Sequence, residues 1–287
     1  MSRVYRALEK AEEEKKWKAK EEQNLIVKED PSLKEFEEKT VLKKGEPTLK
    51  PPEEKVERLG LPSREEVPVL IVPHNSYAAE EFRKLKTQIF HHLPNPPHSI
   101  LITSAAPQEG KTMVSVNLAI AISQEINKKA ILIDGDLRKP GIHLGESRNS
   151  KGLSNYLLDG TPISEILINS EIENLRIIKA GPSTSKSSEL IGSKRMGEML
   201  KSLNKSEDNT YIIIDSSPII STTEPMLLSK MVDGVIFVIM ADRTPKEAIS
   251  RAMKGLDHQK IIGIVLNQID LKPSSYYSKY YYNYYRK

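Results

Sequence analysis

Short, almost wholly apolar runs recur through the later part of the chain, and each is followed by a turn or a polar residue. Runs that are rich in Ile and Val, without the alternation of a half-exposed strand, predict strands that are buried on both faces. Between these runs the apolar residues return at helical spacing, which predicts a parallel sheet covered by helices on both faces. The predicted strands are residues 100–103, 130–133, 175–178, 211–214, 235–240 and 261–266.

Two of the predicted helices have a well-marked apolar side. The first begins after Ser76, and the second covers residues 113–126. A third is expected to begin at Pro245 and to end near Leu256. The apolar sides consist of Phe82, Leu85, Ile89 and Phe90 in the first helix and of Val114, Leu118, Ala121, Ile122 and Ile126 in the second.

The stretch 99–112, SILITSAAPQEGKT, combines a predicted strand with a loop that ends in Gly110-Lys111-Thr112. A helical pattern follows at once, and this order of strand, loop and helix is typical of a phosphate-binding P-loop. In such a loop the lysine reaches the β- and γ-phosphates, and the hydroxyl of the next residue binds Mg²⁺. Because Ala105 stands where the usual pattern has its first Gly, the alternative is a surface turn that happens to contain GKT. The flanking elements favour nucleotide binding by Ala106, Pro107, Gln108, Glu109, Gly110, Lys111, Thr112 and Met113.

Three carboxylates, Asp134, Asp136 and Asp215, follow predicted strands. Ligands of an open parallel sheet bind outside the carboxyl ends of its strands, so we expect these side chains near the P-loop. Asp215 has the position of a Walker B carboxylate and is expected to hold Mg²⁺. If Gly135 lets the chain turn, Asp134 and Asp136 both face the site, one toward Mg²⁺ and the other as a proton acceptor. The alternative for this pair is a turn or a helix cap. Asn267, after the last predicted strand, is a candidate for the adenine edge or an ordinary turn residue.

Charge and proline content divide the chain into four predicted segments. They are a charged docking helix (1–23), a flexible linker (24–67), the P-loop domain (68–271) and a tyrosine-rich tail (272–287). The first segment either presents Val4, Leu8 and Trp17 to another protein or is simply an exposed charged helix. Prolines interrupt any periodicity in the second segment, which favours disorder.

The tail brings tyrosines together with basic residues but without aliphatic partners, a composition that a packed core does not use. One interpretation is a disordered adhesive tail, or one that stacks on single-stranded nucleic acid. The other is a substrate segment whose hydroxyls enter a neighbour's active site, where each phosphate adds about two negative charges. The candidate acceptors are Tyr276, Tyr277, Tyr280, Tyr281, Tyr282, Tyr284 and Tyr285.

Composition narrows the classes of function. The net charge of +4 is too small to indicate nucleic acid, and we expect no nucleic-acid partner. The absence of Cys excludes disulfides and thiolate metal sites and fits a reducing compartment. No apolar run approaches the roughly 20 residues that span a bilayer, and no apolar stretch of a secretory signal follows the N-terminus. We therefore expect a soluble cytoplasmic protein, for which any role at a membrane would have to come through a partner.

Taken together, these residues resemble the bacterial tyrosine kinases that regulate capsule and exopolysaccharide synthesis. The similarity runs from Ser76 to the C-terminus. It includes SAAPQEGKT as Walker A, ILIDGDLRKP as Walker A′, IIIDSSP as Walker B and the terminal tyrosines. The resemblance implies an α/β P-loop NTPase fold with a mostly parallel central sheet flanked by helices, and it implies ATP and Mg²⁺ as cofactors.

The resemblance also assigns roles within the site. The implied catalytic residues are Lys111, which binds phosphate, Asp134, which is the candidate base for the tyrosine hydroxyl, and Asp136. The implied Mg²⁺ ligands are Thr112, Asp136 and Asp215.

The family's Glu-x-x-Arg-x-x-Arg assembly motif corresponds to Glu80, Arg83 and Lys86. Lys in the last position keeps the charge but loses the bidentate fork of Arg. The resemblance implies a homo-oligomeric ring. It also implies activation by a separate membrane-spanning polysaccharide co-polymerase, and we expect a protein-tyrosine phosphatase as a further partner.

The function implied is that of an ATP-dependent protein-tyrosine autokinase. It would phosphorylate the tail of a neighbouring subunit and regulate the synthesis and export of capsule or exopolysaccharide chains. The alternative is a positioning ATPase like those of cell division and plasmid partition, but these carry a lysine where this chain has Ala106. A third possibility is a scaffold that binds nucleotide without catalysis.

Overall fold

A computed structural model describes residues 71–142, 151–205 and 209–269. The chain divides into two units, Met1–Lys55 and Val56–Lys287, and all the described residues belong to the second. The predicted docking helix, linker and tyrosine-rich tail lie outside the described residues, so the four-segment division stays a prediction.

The centre of the described domain is a seven-stranded sheet. Its strands are β1 (Ser99–Ser104), β2 (Lys129–Asp134), β3 (Leu167–Asn169), β4 (Leu175–Ile178), β5 (Thr210–Asp215), β6 (Gly234–Met240) and β7 (Ile261–Asn267). In space their order is β3-β4-β2-β5-β1-β6-β7. Only the short edge strand β3 runs antiparallel to its neighbour, so the prediction of a mostly parallel sheet is confirmed.

Eight helices surround this sheet within the described ranges. They are α1 (Tyr77–His91), α2 (Lys111–Ser123), α3 (Leu153–Asp159), α4 (Ile163–Ile166), α5 (Ser187–Ile191), α6 (Lys194–Lys205), α7 (Glu224–Met231) and α8 (Lys246–Met253). A 3₁₀ turn, His258–Lys260, precedes β7. No helix in the described ranges is long and apolar enough to cross a membrane.

The main core lies between the sheet and the pair α1 and α2. Phe82 and Ile89 of α1, together with Leu118 and Ile122 of α2, pack in one cluster with buried residues of the central strands. Ile126 does not belong to this cluster, contrary to the prediction. Helix α2 ends at Ser123, and Ile126 lies beyond it with 83% of its surface exposed.

The predicted coverage of both faces is incomplete at the β7 edge of the sheet. Ile264 is 36% exposed and Leu266 is 54% exposed, and both are large apolar side chains. Within the described residues, this outer strand is therefore less covered than the central strands, whose residues are buried.

Candidate phosphate and metal site

The P-loop joins β1 to α2 in the way the sequence predicts. Gln108 and Gly110 both have a positive φ, 65° and 89°, and Gly110 is the N-cap of α2. A Cβ atom on Gly110 would lie 2.0 Å from Nδ2 of Asn267, so the loop has room only for glycine there. The first N–H groups of a helix have no intrahelical partners and carry the positive end of its dipole, so this helix start suits an anion.

Side chains from distant elements hold the P-loop in shape. Glu109 is 3% exposed. Its carboxylate accepts hydrogen bonds from the backbone N–H of Ala106, at 2.8 Å, and from the hydroxyl of Thr244. The amides of Asn267 and Gln268 donate to the backbone carbonyls of Glu109 and Gln108, at 2.9 and 3.1 Å. The loop that is predicted to bind phosphate is thus held by residues at the end of β7 and by Thr244, which precedes α8.

The predicted roles of the loop residues stay predictions, but their positions are now defined. Lys111 and Thr112 open α2 and are half-buried. The side chain of Asn267 contacts the P-loop backbone, and its predicted contact with the adenine edge is untested.

Asp134 and Asp215 end adjacent strands and lie opposite each other in the register of β2 and β5. Both are buried, with 0% and 1% of their surface exposed. Oδ2 of Asp134 accepts from the backbone N–H groups of Gly141 and Ile142, each at 3.0 Å. Oδ1 accepts from the N–H of Asp136 at 3.1 Å. The structure therefore brings the predicted carboxylates together at the carboxyl edge of the sheet.

Gly135 has a different role from the one predicted. Its φ is not among the positive values, so it does not supply a left-handed turn. Its N–H donates to the carbonyl of Asp215 at 2.9 Å, and a Cβ atom there would lie 2.8 Å from the same oxygen. Glycine is required here because β2 and β5 remain in close contact as they end.

Burial dominates the electrostatics of this pair. It raises the pKa of Asp134, and the negative charge of Asp215 raises that pKa further. Burial also raises the pKa of Asp215, although the charge of Lys111 and the hydroxyl of Thr112 oppose the rise. Two carboxylates with raised pKa values in a buried site favour the binding of a cation.

The donors beside Thr112 fit Mg²⁺. The Thr112 hydroxyl hydrogen-bonds the Asp215 carboxylate, and Ser115 donates to Oδ1 of Asp215 at 3.2 Å. A Cβ atom on Gly141 would lie 3.2 Å from Oγ1 of Thr112 and 3.7 Å from Oδ2 of Asp215, so glycine leaves space beside both donors. Hydroxyl and carboxylate oxygens are the ligands of Mg²⁺, which in such sites also takes phosphate oxygens and water.

Protein ligands alone do not complete a metal site in the described part of the chain, where no group of three or more His, Cys, Asp or Glu could hold an ion. Asp136 lies close by, but its Oδ1 already accepts from the N–H groups of Arg138 and Lys139, at 3.3 and 2.9 Å. Mg²⁺ held by Thr112 and Asp215 would take its remaining ligands from phosphate oxygens or water.

The predicted assembly residues lie on α1 and make contacts within their own chain. Arg83 pairs with Glu80 at 2.6 Å, and Lys86 pairs with Glu125, which follows α2. Arg83 and Lys86 also line a surface cleft of about 470 Å³ together with His74, Ala121 and Gln124.

Several residues that shape the site were not predicted. Ser115 follows Lys111 by one helical turn, donates to the Lys111 carbonyl at 2.8 Å and contacts Asp215. That spacing on a helix was a usable signal. Thr244, Gln268 and Gly141 have no local sequence signal, because each acts through a contact with a distant part of the chain.

Comparison with known proteins gives the site a context. Residues 100–261 match the model of the AAA domain family. The Staphylococcus aureus protein CapB, whose name classes it with the tyrosine-protein kinases, is 35% identical over 213 residues, which cover 72% of this chain and 91% of CapB. Tyrosine-protein kinase YwqD of Bacillus subtilis is 32% identical over 209 residues, covering 71% of this chain and 87% of YwqD. The solved kinase domain of the Escherichia coli tyrosine kinase ETK has a TM-score of 0.64 at 26% identity, covering 77% of this chain and 88% of that domain.

Proposed function

Because the chain belongs to the AAA domain family and, within it, to the bacterial tyrosine-protein kinases, we propose that it phosphorylates the tyrosines of its own C-terminal tail. In this reaction one copy of the chain acts on the tail of a neighbouring copy. The observation that carries the proposal is the pair Asp134 and Asp215, buried side by side at the strand ends next to Lys111 and Thr112.

The chemistry is an in-line displacement at the γ-phosphorus of ATP. A tail tyrosine oxygen forms the new bond to phosphorus, and the bond to the bridging oxygen of ADP breaks. Asp134 takes the proton of the tyrosine hydroxyl, and its raised pKa makes it a stronger base than an ordinary carboxylate. Lys111 and the start of α2 neutralise the phosphates.

Thr112, Asp215 and Asp136 are the residues that would hold Mg²⁺, which would neutralise part of the phosphate charge. Ser115 keeps the Asp215 carboxylate in place by donating to Oδ1. The Asn267 side chain supports the P-loop by donating to the carbonyl of Glu109. We propose that Asn267 also contacts the adenine edge of the nucleotide.

The tail is the proposed acceptor because it gathers seven tyrosines in its last residues, from Tyr276 to Tyr285. In the sequence it follows β7, whose last residue, Asn267, donates to the carbonyl of Glu109 in the P-loop. We propose that Glu80, Arg83 and Lys86 contribute to assembly of a ring that brings a neighbour's tail to this site.

The resemblance to kinases of capsule and exopolysaccharide synthesis supports a place in polysaccharide production. We propose a cytoplasmic kinase that is recruited to the inner face of the plasma membrane and activated by a separate polysaccharide co-polymerase. A protein-tyrosine phosphatase would remove the phosphate groups from the tail tyrosines.

The test is incubation of the purified full chain with Mg-ATP, followed by mass spectrometry of the tail. Phosphotyrosine is expected in the wild type and absent from Lys111→Met. Lys194→Met removes an exposed lysine, with a side chain 92% exposed, and should behave as the wild type. Undiminished tail phosphorylation in Lys111→Met would contradict the proposal. ATP hydrolysis without phosphotyrosine would instead favour a positioning ATPase.

A further inference from the structure

A buried glutamate at the start of α7 accepts hydrogen bonds from two separate segments of the chain. Glu224 is 1% exposed. Its Oε1 accepts from Nε of Arg138 at 2.7 Å, from the hydroxyl of Ser187 at 2.7 Å and from the hydroxyl of Ser188 at 3.1 Å. Nη2 of Arg138 in turn donates to the Ser188 hydroxyl at 3.2 Å.

Glu224 and its partners lie in the segments that follow three neighbouring strands. Arg138 lies in the loop after β2, Ser187 and Ser188 open α5 after β4, and Glu224 itself follows the loop after β5. These strands are adjacent in the order β4-β2-β5, so their carboxyl ends share one edge of the sheet. One carboxylate therefore ties together the loops at the edge where the phosphate site lies.

Arg138 connects this cluster to the proposed catalytic carboxylates. Its backbone N–H donates to Oδ1 of Asp136, and the loop closes where Gly141 and Ile142 donate to Asp134. These bonds lie within the loop itself. The guanidinium contact to Glu224 adds a support from outside the loop, and the Arg138 side chain is otherwise 47% exposed to solvent.

The charge of Glu224 is maintained although the group is buried. Burial by itself raises the pKa of Glu224, but the hydrogen bonds from Ser187 and Arg138 lower it to about 2. A buried ion pair is weak evidence for added stability, because well-packed apolar residues often stabilise a core equally well. Its location beside the loop of Asp134 and Asp136 favours a role in geometry.

We propose that Glu224 is a positioning residue for phosphoryl transfer: by holding Arg138 it fixes the loop that carries Asp134 and Asp136 against the phosphate site. This inference rests on the proposed kinase function. The proposal assigns different tasks to two loops of the site. The P-loop binds the phosphates, whereas the loop after β2 orients the proposed base, Asp134, and the proposed metal ligand, Asp136.

The test uses Glu224→Gln, Arg138→Gln and the double variant of the full chain. In each, the kcat of tail phosphorylation should fall at least about tenfold, because small displacements of catalytic groups have large effects on rate. The affinity for ADP without Mg²⁺ should stay within about twofold, because the P-loop itself is unchanged. The extra affinity for ADP that Mg²⁺ provides should shrink in all three.

The double variant distinguishes positioning from general damage. If Glu224 acts through Arg138, the double variant has about the same kcat as Arg138→Gln alone, since the two changes break one link. Glu165→Gln, which breaks the exposed pair between Lys151 and Glu165, should leave every measurement unchanged. Thermal unfolding of each variant shows whether it is folded, and Arg138→Gln changes an exposed side chain, so it tests the link even if Glu224→Gln unfolds.

Wild-type kcat in both single variants would overturn the inference, and so would additive losses in the double variant. A fall in Mg²⁺-free ADP affinity that matches the fall in kcat would also overturn it, because the P-loop would then be damaged too. If the wild type forms no phosphotyrosine even with the cytoplasmic part of the activating co-polymerase present, the kinase proposal fails. The Mg²⁺-dependent part of ADP affinity still decides whether Glu224 positions the loop.

Discussion

Single side chains hold the P-loop and the neighbouring strand ends in place. Glu109 shows this most directly, because a residue predicted only as part of the phosphate cradle uses its side chain to fix the loop. Its buried carboxylate bridges the backbone of Ala106 and the hydroxyl of Thr244. The loop that is predicted to bind phosphate is therefore held by a side chain that is directed into the protein.

Gly110→Ala should weaken nucleotide binding at least about tenfold and destabilise the fold by about 1–3 kcal/mol, the usual cost of a strained backbone position. The reason is the φ of 89° and the 2.0 Å approach of a Cβ atom to Asn267. Titration with a fluorescent ADP and thermal unfolding measure the two effects. Gly197→Ala is the matched control, because its helical site has no other atom within 4 Å and should tolerate alanine. Wild-type ADP affinity in Gly110→Ala would contradict this prediction.

Asp134→Asn should lower the rate of tail phosphorylation roughly a hundredfold to ten-thousandfold, the range of a lost general base. The amide cannot take up the tyrosine proton. Its oxygen can still accept from the N–H groups of Gly141 and Ile142, whereas its NH2 group loses the hydrogen bond from the Asp136 N–H. ADP affinity should stay close to that of the wild type. Single-turnover phosphorylation and ADP titration check the two parts, with Asp159→Asn, on α3, as the control. An active Asp134→Asn protein would mean that another group accepts the proton.

At the scale of whole elements, α1 carries the assembly motif but also packs on its own domain. Phe82 and Ile89 face the core, whereas Arg83 and Lys86 lie along the surface cleft. The Lys86 side chain is only 13% exposed and pairs with Glu125 outside α1, whereas the Arg83 side chain is 34% exposed and pairs with Glu80 on the same helix. The Arg83 side chain is therefore more accessible for contacts with a neighbouring subunit than the Lys86 side chain is.

Arg83→Ala should therefore weaken self-association roughly fivefold, the effect of losing an interface residue worth about 1 kcal/mol. Lys86→Ala should weaken self-association less. Glu125→Gln should strengthen association because it releases Lys86 from its pair. Sedimentation velocity at matched concentrations measures all three variants. Lys84→Ala changes another lysine of α1, paired with Glu81, and serves as the control. Equal losses in Arg83→Ala and Lys86→Ala would show that the pair with Glu125 does not matter for assembly.

The contacts of Glu224 join α5, α7 and the loop after β2, and they make stability depend on pH. The folded pKa of about 2 lies below the value of about 4.3 for an unperturbed glutamate. The stabilisation is thus fully present above about pH 4.3 and is lost as the pH falls toward 2. The difference in free energy of unfolding between the wild type and Glu224→Gln should be constant near neutrality and should shrink below about pH 4.3. Urea unfolding at several pH values measures it, and a difference that grows on acidification would refute the assignment.

For the molecule as a whole, the proposed function requires two copies of the chain. A variant without residues 273–287 keeps the site but lacks the acceptors, and Lys111→Met keeps the acceptors but lacks a working site. Mixing the two with Mg-ATP should place phosphotyrosine on the tail of Lys111→Met, which neither protein forms alone. Phosphotyrosine analysis of the separated chains measures this. Failure of the mixture, with a phosphorylated wild-type tail, would indicate transfer within one chain.

The predicted elements were accurate where the pattern was local. Strands β1, β2, β4, β5, β6 and β7 all coincide with apolar runs. Strand β3 was missed because it has only three residues and is defined by its antiparallel pairing with β4. The predicted second helix extended too far, since the apolar spacing continues to Ile126 after the helix has ended.

The sequence by itself determined the P-loop, the order of the motifs and the placing of Asp134 and Asp215 at strand ends, because strand, loop and helix are encoded by neighbouring residues. Only the tertiary structure decided which distant side chains support them. Thr244 meets Glu109 across 135 positions of the chain, and Glu224 meets Arg138 across 86. Such contacts follow from the order of strands in the sheet, which the spacing of apolar residues does not encode.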